Sequence, residues 1–486
     1  MTGAARLAAV MSILAVVVRL IWVDQPYVDN WSWRQSDVAA LARNYFHGGF
    51  HFARPQIDWA GDQQGYVGTE FPVLPFLAAL CYKIFGVHEW IGRAQGVILF
   101  ALSLPFFFLL VRKMFGEIAA VCALFFYSFA PLGIMASRCF MPDMPSLALS
   151  IAGLYFFERW NDTAKPSFFF ASAVAVSFAI LFKFPSILIG APLSCLIFQR
   201  FSFSAFRNFR IWLFAAIALL PSLSWYWHAY QISLHFYPHH FFGAGGIRIM
   251  PPAWYLKIAK LMVTSTLTPF LFLLGGVGVA MTRSMVRARP FRWWLAAMAL
   301  FMIVVGYGNR HPWYQLPLIP IFAAFAGAAG ALLGTKISSP AVKISISVLL
   351  SIAFGFLARV FARDFYRPSA ASLRDAGLTL KRMTPRNSLI VAADNGDPTI
   401  FYYAERKGWH FLEKEGIYNG EPNESASAII DLEGLRARGA DYLVFTSDTS
   451  WWLDYYPVFR EYLEGTSTVL EATSEFKIYK LNQTPQ

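Results

Sequence analysis

The chain has 486 residues, of which 57% are hydrophobic, 17% aromatic and only 14% charged. A soluble globular protein carries about 25% charged residues, so this composition excludes an ordinary soluble protein and predicts a membrane protein. The formal charge of +12 does not indicate nucleic-acid binding, because the basic residues lie in short clusters between apolar runs, as in membrane topology. The four cysteines have no CxxC spacing, so neither a zinc site nor a disulfide framework is predicted.

The apolar segments predict a polytopic helical membrane protein. Residues 7–23 follow a short basic start without a small-residue cleavage site, so we expect a retained anchor rather than a signal peptide. A helix that crosses a membrane needs about 20 mostly apolar residues, which predicts about eleven spans in this chain. Their centres lie near residues 15, 103, 127, 150, 175, 191, 220, 270, 300, 323 and 352.

The basic clusters between alternate spans predict which loops are cytoplasmic. Arg112, Arg159 with Lys165, the stretches 199–210 and 282–292, and Lys336 form this set. The other loops then face outside, including a long one at about 24–94. With an odd number of spans, the C-terminal tail also lies outside.

The tail differs from the rest of the chain in composition. From about Arg363 the residues are mixed charged and apolar, with strand-like stretches at 388–393, 441–446 and 476–481. We therefore predict a transmembrane unit at 1–362 and a soluble external α/β domain at 363–486.

Acidic residues are scarce in the predicted membrane unit, and no Asp or Glu lies between Asp162 and Asp364. Any carboxylate chemistry is therefore expected in the long external loop or at Asp143. The external acids are Asp24, Asp29, Asp37, Asp58, Asp62, Glu70, Glu89 and Asp143. Cations without obvious acidic partners lie near the same predicted surface, where an anion such as a phosphate would satisfy them. They are Arg138, Lys183, Arg248, Lys257, Lys260, Arg310 and His311.

Five segments occur in an order that resembles a known superfamily. They are "DVAALARNYF", "GTEFPVLPFLAALCYKIFG", "SRCFMPDMPSLALSIAGLYFFERW", "FKFPS" and "HPWYQLPLIP". This order, after an apolar anchor, resembles the GT-C superfamily of polyprenyl-phosphate-sugar-dependent glycosyltransferases. Within it, the chain is similar to the bacterial protein-mannosyltransferase-like branch, which includes enzymes that add aminoarabinose or galacturonic acid to lipopolysaccharide.

The resemblance implies roles for individual residues. Asp37 matches the general base of the first external loop, Asp143 matches a second acid, and interfacial basic residues hold the lipid phosphate. Many relatives carry an adjacent Asp-Glu pair where this chain has "QSD", so Asp29 and Glu70 remain alternative bases.

Each of these residues also has a structural interpretation. Ser36 followed by Asp37 is a common helix-start pattern, in which Ser36 caps the helix and Asp37 favours its positive end. Arg34 and Arg138 are either interfacial side chains with their charged ends in water or ligands for a phosphate and the nearby acids. Lys183 lies too close to two apolar runs to be a free loop charge, so a functional role is expected there.

Other candidate ligands surround these residues in the sequence. Arg310 and His311 are further candidates for phosphate binding, and Glu70 is expected to pair with a loop cation. The histidines of "HFYPHH", His235, His239 and His240, have no adjacent carboxylate, and Pro238 interrupts their helical spacing. A divalent metal is therefore disfavoured, and no cofactor is predicted.

Together these features predict an inverting glycosyltransferase of the bacterial inner membrane. It would move a sugar from a polyprenyl-phosphate donor to a hydroxyl of a lipopolysaccharide, lipid, glycan or protein acceptor on the external face. A transporter or lipid flippase for an anionic lipid-linked substrate is the alternative, and a catalytically inactive assembly partner is a third. A transporter would place its ionisable groups near mid-membrane, often within inverted repeats, whereas here they cluster at one predicted face.

Overall fold

Apolar helices dominate residues 3–242 and 247–482, which the computed structural model describes. The helices are α1 (Gly3–Leu20), α2 (Ser32–Gly48), α3 (Val73–Phe85), α4 (Glu89–Phe115), α5 (Glu117–Phe129), α6 (Pro131–Ser137), α7 (Asp143–Thr163), α8 (Pro166–Phe182), α9 (Gly190–Phe201), α10 (Phe209–His235), α11 (Pro252–Leu261), α12 (Thr268–Met281), α13 (Arg289–Val304), α14 (Leu318–Gly334), α15 (Pro340–Ala362), α16 (Ala371–Met383), α17 (Thr399–Ala404), α18 (Ser425–Ala437), α19 (Trp452–Tyr455) and α20 (Pro457–Thr466). The strands are β1 (Leu389–Ala393), β2 (Lys407–His410), β3 (Glu413–Lys414), β4 (Ile417–Tyr418), β5 (Ala440–Thr446), β6 (Ser467–Ala472) and β7 (Phe476–Leu481).

The chain forms two compact units. The first unit comprises Met1–Val23, Arg93–Trp225 and Gly243–Asp364. The second unit comprises Asp24–Gly92, Tyr226–Phe242 and Phe365–Gln486. The second unit therefore combines the long loop after α1, the loop after α10 and the C-terminal tail.

All the predicted span centres lie in helices of the structure. Within the described residues, six helices are long and apolar enough to cross a membrane, or up to eight if each of two bent helix pairs is one span. The other three centres lie in α7, α8 and α13; of these, α8 and α13 have only 17 and 16 residues. The number of about eleven spans therefore stays a prediction.

Small residues let the helices of the first unit pack closely. A Cβ at Gly278 would lie 1.9 Å from the backbone oxygen of Phe325, so only glycine permits this approach of α12 to α14. Close packing of this kind is common between membrane helices, where small side chains let the backbones approach one another. The same unit holds α7 and α8, whose ends carry Asp143 and Lys183.

The tail folds around a mixed sheet, which confirms the predicted α/β domain. The strand order is β2-β1-β5-β7-β6, with β1 parallel to both β2 and β5, and with β7 antiparallel to β5 and β6. Parallel strands at the centre of a sheet are usually buried by apolar side chains on both faces. One face includes Ile390 and Val444 in a core shared with Leu41 of α2 and with Trp59. Helix α2, which carries Asp37, therefore packs against this sheet of the tail.

Candidate active site

Asp37 lies inside a helix of the second unit rather than at its start. Helix α2 begins at Ser32 with Trp31 at its N-cap position, so the expectation that Ser36 caps this helix is wrong. Asp29 makes the hydrogen bonds at the start of this helix. Its Oδ1 accepts the backbone N–H of Trp31 at 3.0 Å and the side-chain amide N–H of Gln35 at 2.8 Å. Asp29 lies two residues before the N-cap position, and the N-cap residue Trp31 makes no side-chain capping hydrogen bond.

The Asp37 carboxyl group is buried and held at one oxygen. Its Oδ1 accepts the indole N–H of Trp59 at 2.8 Å, and the residue is 4% exposed. Within residues 3–242 and 247–482, Oδ2 accepts no hydrogen bond. Burial raises the pKa of Asp37 to about 6, although the Trp59 hydrogen bond and the charge of Arg34 oppose that rise.

Three side chains of the tail extend this site. The imidazole Nδ1 of His410 lies 2.8 Å from Asp394 Oδ2, and Asp397 accepts the Ser32 hydroxyl at 2.6 Å. Burial alone would lower the pKa of His410, but the charges of Asp394, Asp37 and Asp397 and its hydrogen bond to Asp394 raise it. Burial also raises the pKa of Asp397 to about 6.

These tail residues were not predicted from the sequence, although the sequence contains a signal for them. Asp394 directly follows β1, and His410 ends the neighbouring parallel strand β2. Polar side chains at the carboxyl ends of adjacent parallel strands commonly form ligand sites. Recognising this signal would have required the strand pairing, which the sequence alone did not supply.

A buried ion pair lies in the same unit. Arg34 Nη2 is 2.6 Å from Glu70 Oε2, and both side chains are less than 10% exposed. The Arg34 guanidinium also lies 4.7 Å from the ring centroid of Phe242. Glu70 therefore pairs with a loop cation as expected, and Arg34 has a carboxylate partner as well as an aromatic one.

Asp143 and Lys183 meet in the first unit. Asp143 is the first residue of α7, and Lys183 follows the last residue of α8. Lys183 Nζ is 3.5 Å from Asp143 Oδ1 and 5.4 Å from the ring centroid of Tyr314. These side chains line a small cavity together with Ser186 and Trp313. The cavity has a volume of about 30 Å³ and brings a cation together with polar and aromatic groups.

Three further predicted basic residues occupy different environments in the first unit. Arg138 is buried, and its Nη2 donates to the backbone oxygen of Trp22 at 2.8 Å. Arg310 is exposed and lies 4.3 Å from the ring centroid of Tyr307. The His311 ring stacks on Trp313 with centroids 4.4 Å apart. Trp313 lines the cavity at Lys183, so His311 lies next to that cavity.

The three histidines at the end of α10 and just after it have structural contacts. His235 Nδ1 is 2.8 Å from the Gln231 backbone oxygen, and His239 Nδ1 is 3.1 Å from that of Ser233. His240 packs against Trp59 and Phe242, and burial, with the charge of Arg34, lowers its pKa to about 4. Across the part of the chain that the structure describes, no three His, Cys, Asp or Glu side chains are grouped to hold a metal ion.

Comparisons with known proteins agree with this architecture. The family model of dolichyl-phosphate-mannose-protein mannosyltransferases matches residues 69–227. The structure of ArnT from Cupriavidus metallidurans in the apo state has a TM-score of 0.67 at 16% identity, covering 98% of each chain. ArnT bound to undecaprenyl phosphate has a TM-score of 0.65 at 15% identity, covering 97% of each chain. No curated protein sequence matches the chain significantly.

A second type of enzyme has a similar structure. The oligosaccharyltransferase of Archaeoglobus fulgidus in the apo form has a TM-score of 0.63 at 14% identity, covering 99% of this chain and 74% of that one. Both structures match the present chain over nearly its whole length. The chain therefore has the GT-C fold of membrane glycosyltransferases, as its sequence resemblance predicted.

Proposed function

We propose that the protein is an inverting glycosyltransferase that moves a sugar from a polyprenyl phosphate to an acceptor hydroxyl, with Asp37 as the general base. The observation that carries this proposal is the Asp37 carboxyl group, buried with a pKa raised to about 6 and with Oδ2 not hydrogen-bonded within the described chain. A base with a pKa near the working pH combines adequate ionisation with a useful drive for proton transfer. The acceptor is a lipopolysaccharide, lipid, glycan or protein.

The proposed reaction is a single displacement. The acceptor oxygen attacks the anomeric carbon and forms the new C–O bond while the bond from that carbon to the phosphate oxygen breaks. The polyprenyl phosphate leaves with the bonding electron pair, and Asp37 Oδ2 takes the hydroxyl proton. One displacement inverts the anomeric configuration, so one base suffices and no nucleophilic carboxylate is required.

The leaving phosphate gains negative charge in this step, and cations would stabilise it. We assign this role to Lys183, with Arg138, Arg310 and His311 as further donors of the first unit and Arg34 of the second. Asp143 supports Lys183 at 3.5 Å, and Glu70 orients Arg34. The similarity in fold to ArnT, whose structure has been solved with undecaprenyl phosphate, supports a lipid-phosphate donor.

The proposed location follows from the distribution of basic loops. Residues 1–362 would form the transmembrane unit in the bacterial inner membrane, with the long loop and the domain at 363–486 on the periplasmic side. On that side the enzyme meets lipid-linked sugars and envelope acceptors. A protease-protection assay with a tag after Gln486 tests this orientation directly.

The decisive experiment measures release of polyprenyl phosphate. The full-length protein in lipid nanodiscs is incubated with a panel of radiolabelled polyprenyl-phosphate sugars and membrane extracts as acceptor. Asp37→Asn is compared with Asp24→Asn, which alters an exposed acid of the same loop. We expect release by the wild type and by Asp24→Asn only. A folded Asp37→Asn variant with full release would exclude Asp37 as the base, and no release with any donor would exclude the proposed reaction.

A further inference from the structure

A cleft in the second unit has five basic residues in its walls. We name it the Arg386 cleft; its walls include Arg43, His47, Arg386, Arg406 and Lys407. Its volume is about 350 Å³, which lies within the range of about 300–1,000 Å³ that small-molecule sites occupy. No function was predicted from the sequence for any of these five residues. The Arg386 cleft is therefore a candidate binding site separate from Asp37.

Two of the arginines are fixed in the wall. Arg43 is buried and bonds to Asp58 and to the Tyr402 backbone oxygen. Arg406 is also buried and donates to backbone oxygens, including that of Thr384 at 2.8 Å. Their hydrogen bonds are already made, so these guanidinium groups supply a fixed positive potential rather than flexible ligands.

The other cations are available for a ligand. Within residues 3–242 and 247–482, Arg386 and Lys407 have no carboxylate within ion-pair distance. Arg386 is exposed and Lys407 is half-buried at the start of β2. Lysine and arginine side chains of this kind can turn toward an anion that enters the cleft. The Arg386 cleft thus combines fixed and movable positive charge.

The charge balance of the cleft is positive. Four basic side chains, Arg43, Arg386, Arg406 and Lys407, face two acidic ones, Asp58 and Glu405. Lys381 lies 2.7 Å from Glu405 and offsets its charge. Burial and the charges of Arg43 and Arg386 lower the pKa of His47, which agrees with a positive potential in the cleft. A positive potential of this kind, focused by a concave surface, attracts anions.

We propose that the Arg386 cleft binds a phosphate group. A phosphate carries up to two negative charges and several acceptor oxygens, which suits the excess of two positive charges and the guanidinium of Arg386. The phosphate belongs either to a soluble phosphorylated molecule or to the headgroup of an anionic lipid. This site goes beyond the proposed sugar transfer and does not depend on it, since none of its residues takes part in that reaction.

Calorimetric titration with inorganic phosphate and pyrophosphate tests the proposal. The full-length protein is placed in nanodiscs of phosphatidylcholine, and the variant Arg386→Gln/Lys407→Gln is compared with the wild type. The matched control is Lys414→Gln/Lys480→Gln, which removes two exposed lysines of the same unit outside the cleft. Losing two charge-assisted contacts is expected to weaken binding by at least about tenfold in the first variant. The control variant is expected to bind like the wild type.

The same titration in nanodiscs containing phosphatidylglycerol distinguishes the two sources. A lipid headgroup in the cleft would compete and weaken phosphate binding to the wild type, whereas a soluble ligand would leave the affinity unchanged. Either result supports the site. Absence of phosphate and pyrophosphate binding to the wild type, or equal affinity of the wild type and Arg386→Gln/Lys407→Gln, would overturn it. Because the readout is binding, failure of the proposed glycosyl transfer would not affect this result.

Discussion

His410 packs against Trp59, with ring centroids 5.2 Å apart, and Trp59 donates its indole N–H to Asp37. A residue that ends strand β2 of the tail is therefore one side chain away from the proposed base. The charge of His410 lowers the pKa of Asp37, while that of Asp397 raises it. The tail thus influences the protonation of Asp37 through two groups of opposite sign.

We predict that two tail variants shift the pH dependence of transfer in opposite directions. In the wild type, kcat/KM should rise with pH as Asp37 ionises, with an apparent pKa near the value of about 6. His410→Gln removes a cation that favours the carboxylate, so the profile should move to higher pH. Asp397→Asn removes an anion that opposes it, so the profile should move to lower pH. Initial rates between pH 4.5 and 9 would measure both shifts.

The control for these shifts is Asp448→Asn, an exposed acid of the tail, which should leave the profile in place. Shifts of His410→Gln and Asp397→Asn in the same direction would contradict the assignment of Asp37 as the titrating group. A pure loss of amplitude in both variants, with the wild-type midpoint retained, would indicate only a structural role for the tail residues.

We further predict that Asp37→Asn stabilises the folded protein at neutral pH. The folded state keeps the Asp37 proton up to about pH 6, whereas the unfolded chain releases it near the ordinary value of 3.8. The wild type therefore loses stability as pH rises from about 4 to 6, because the unfolded state binds fewer protons there. This loss amounts to at most about 3 kcal/mol, and asparagine avoids it while keeping an oxygen for Trp59.

Thermal unfolding of both proteins in nanodiscs at pH 4 and pH 8 would measure this effect. We expect equal Tm values at pH 4 and a higher Tm for Asp37→Asn at pH 8. If Asp37→Asn is less stable than the wild type at pH 8, the prediction is wrong. The Asp37 carboxylate would then stabilise the folded protein and would not be a base kept at a cost in stability.

The sequence was sufficient for the architecture because long apolar runs and alternating strand patterns are local signals. The strand-like stretch at 476–481 coincides with β7, for example. The sequence alone was insufficient to predict the surroundings of Asp37. His410 and Asp397 lie more than 350 positions away along the chain and come close to α2 only through tertiary packing. The prediction that Ser36 caps the helix was also wrong, because the hydrogen bonds at the start of α2 are made by Asp29.

The ion pair of Arg34 and Glu70 provides a stability test. Removing one partner of a buried pair leaves an uncompensated charge, so Glu70→Gln should lower the free energy of unfolding by about 3 kcal/mol. Adding Arg34→Gln should recover part of that loss. Asp62 and Arg438, whose side chains are 35% and 32% exposed, form the control pair, and Asp62→Asn should cost less than about 1 kcal/mol. Chemical denaturation of the wild type, Glu70→Gln, Arg34→Gln, the double variant and Asp62→Asn would test these expectations. Additive losses at Arg34 and Glu70 would show that the two charges are not coupled.

We predict that Lys183 acts on the leaving phosphate through its charge. If its ammonium group contacts the leaving phosphate, Lys183→Gln should lower kcat/KM for the donor by about a hundredfold. It should lower kcat as well as raise KM, because the phosphate gains charge in the transition state. Lys183→Arg keeps the charge beside Asp143 and should retain most of the activity. Lys336→Gln, an exposed lysine of the first unit, serves as the control for lost charge.

A purely structural role for Lys183 predicts a different pattern of results. As the partner of Asp143 at 3.5 Å, Lys183 would then affect the amount of folded protein without changing kcat per folded molecule. Steady-state kinetics normalised to the folded fraction, measured by size-exclusion chromatography, separates the two roles. An unchanged kcat for folded Lys183→Gln would assign this lysine to the support of α7 and α8 and leave phosphate binding to the other basic residues.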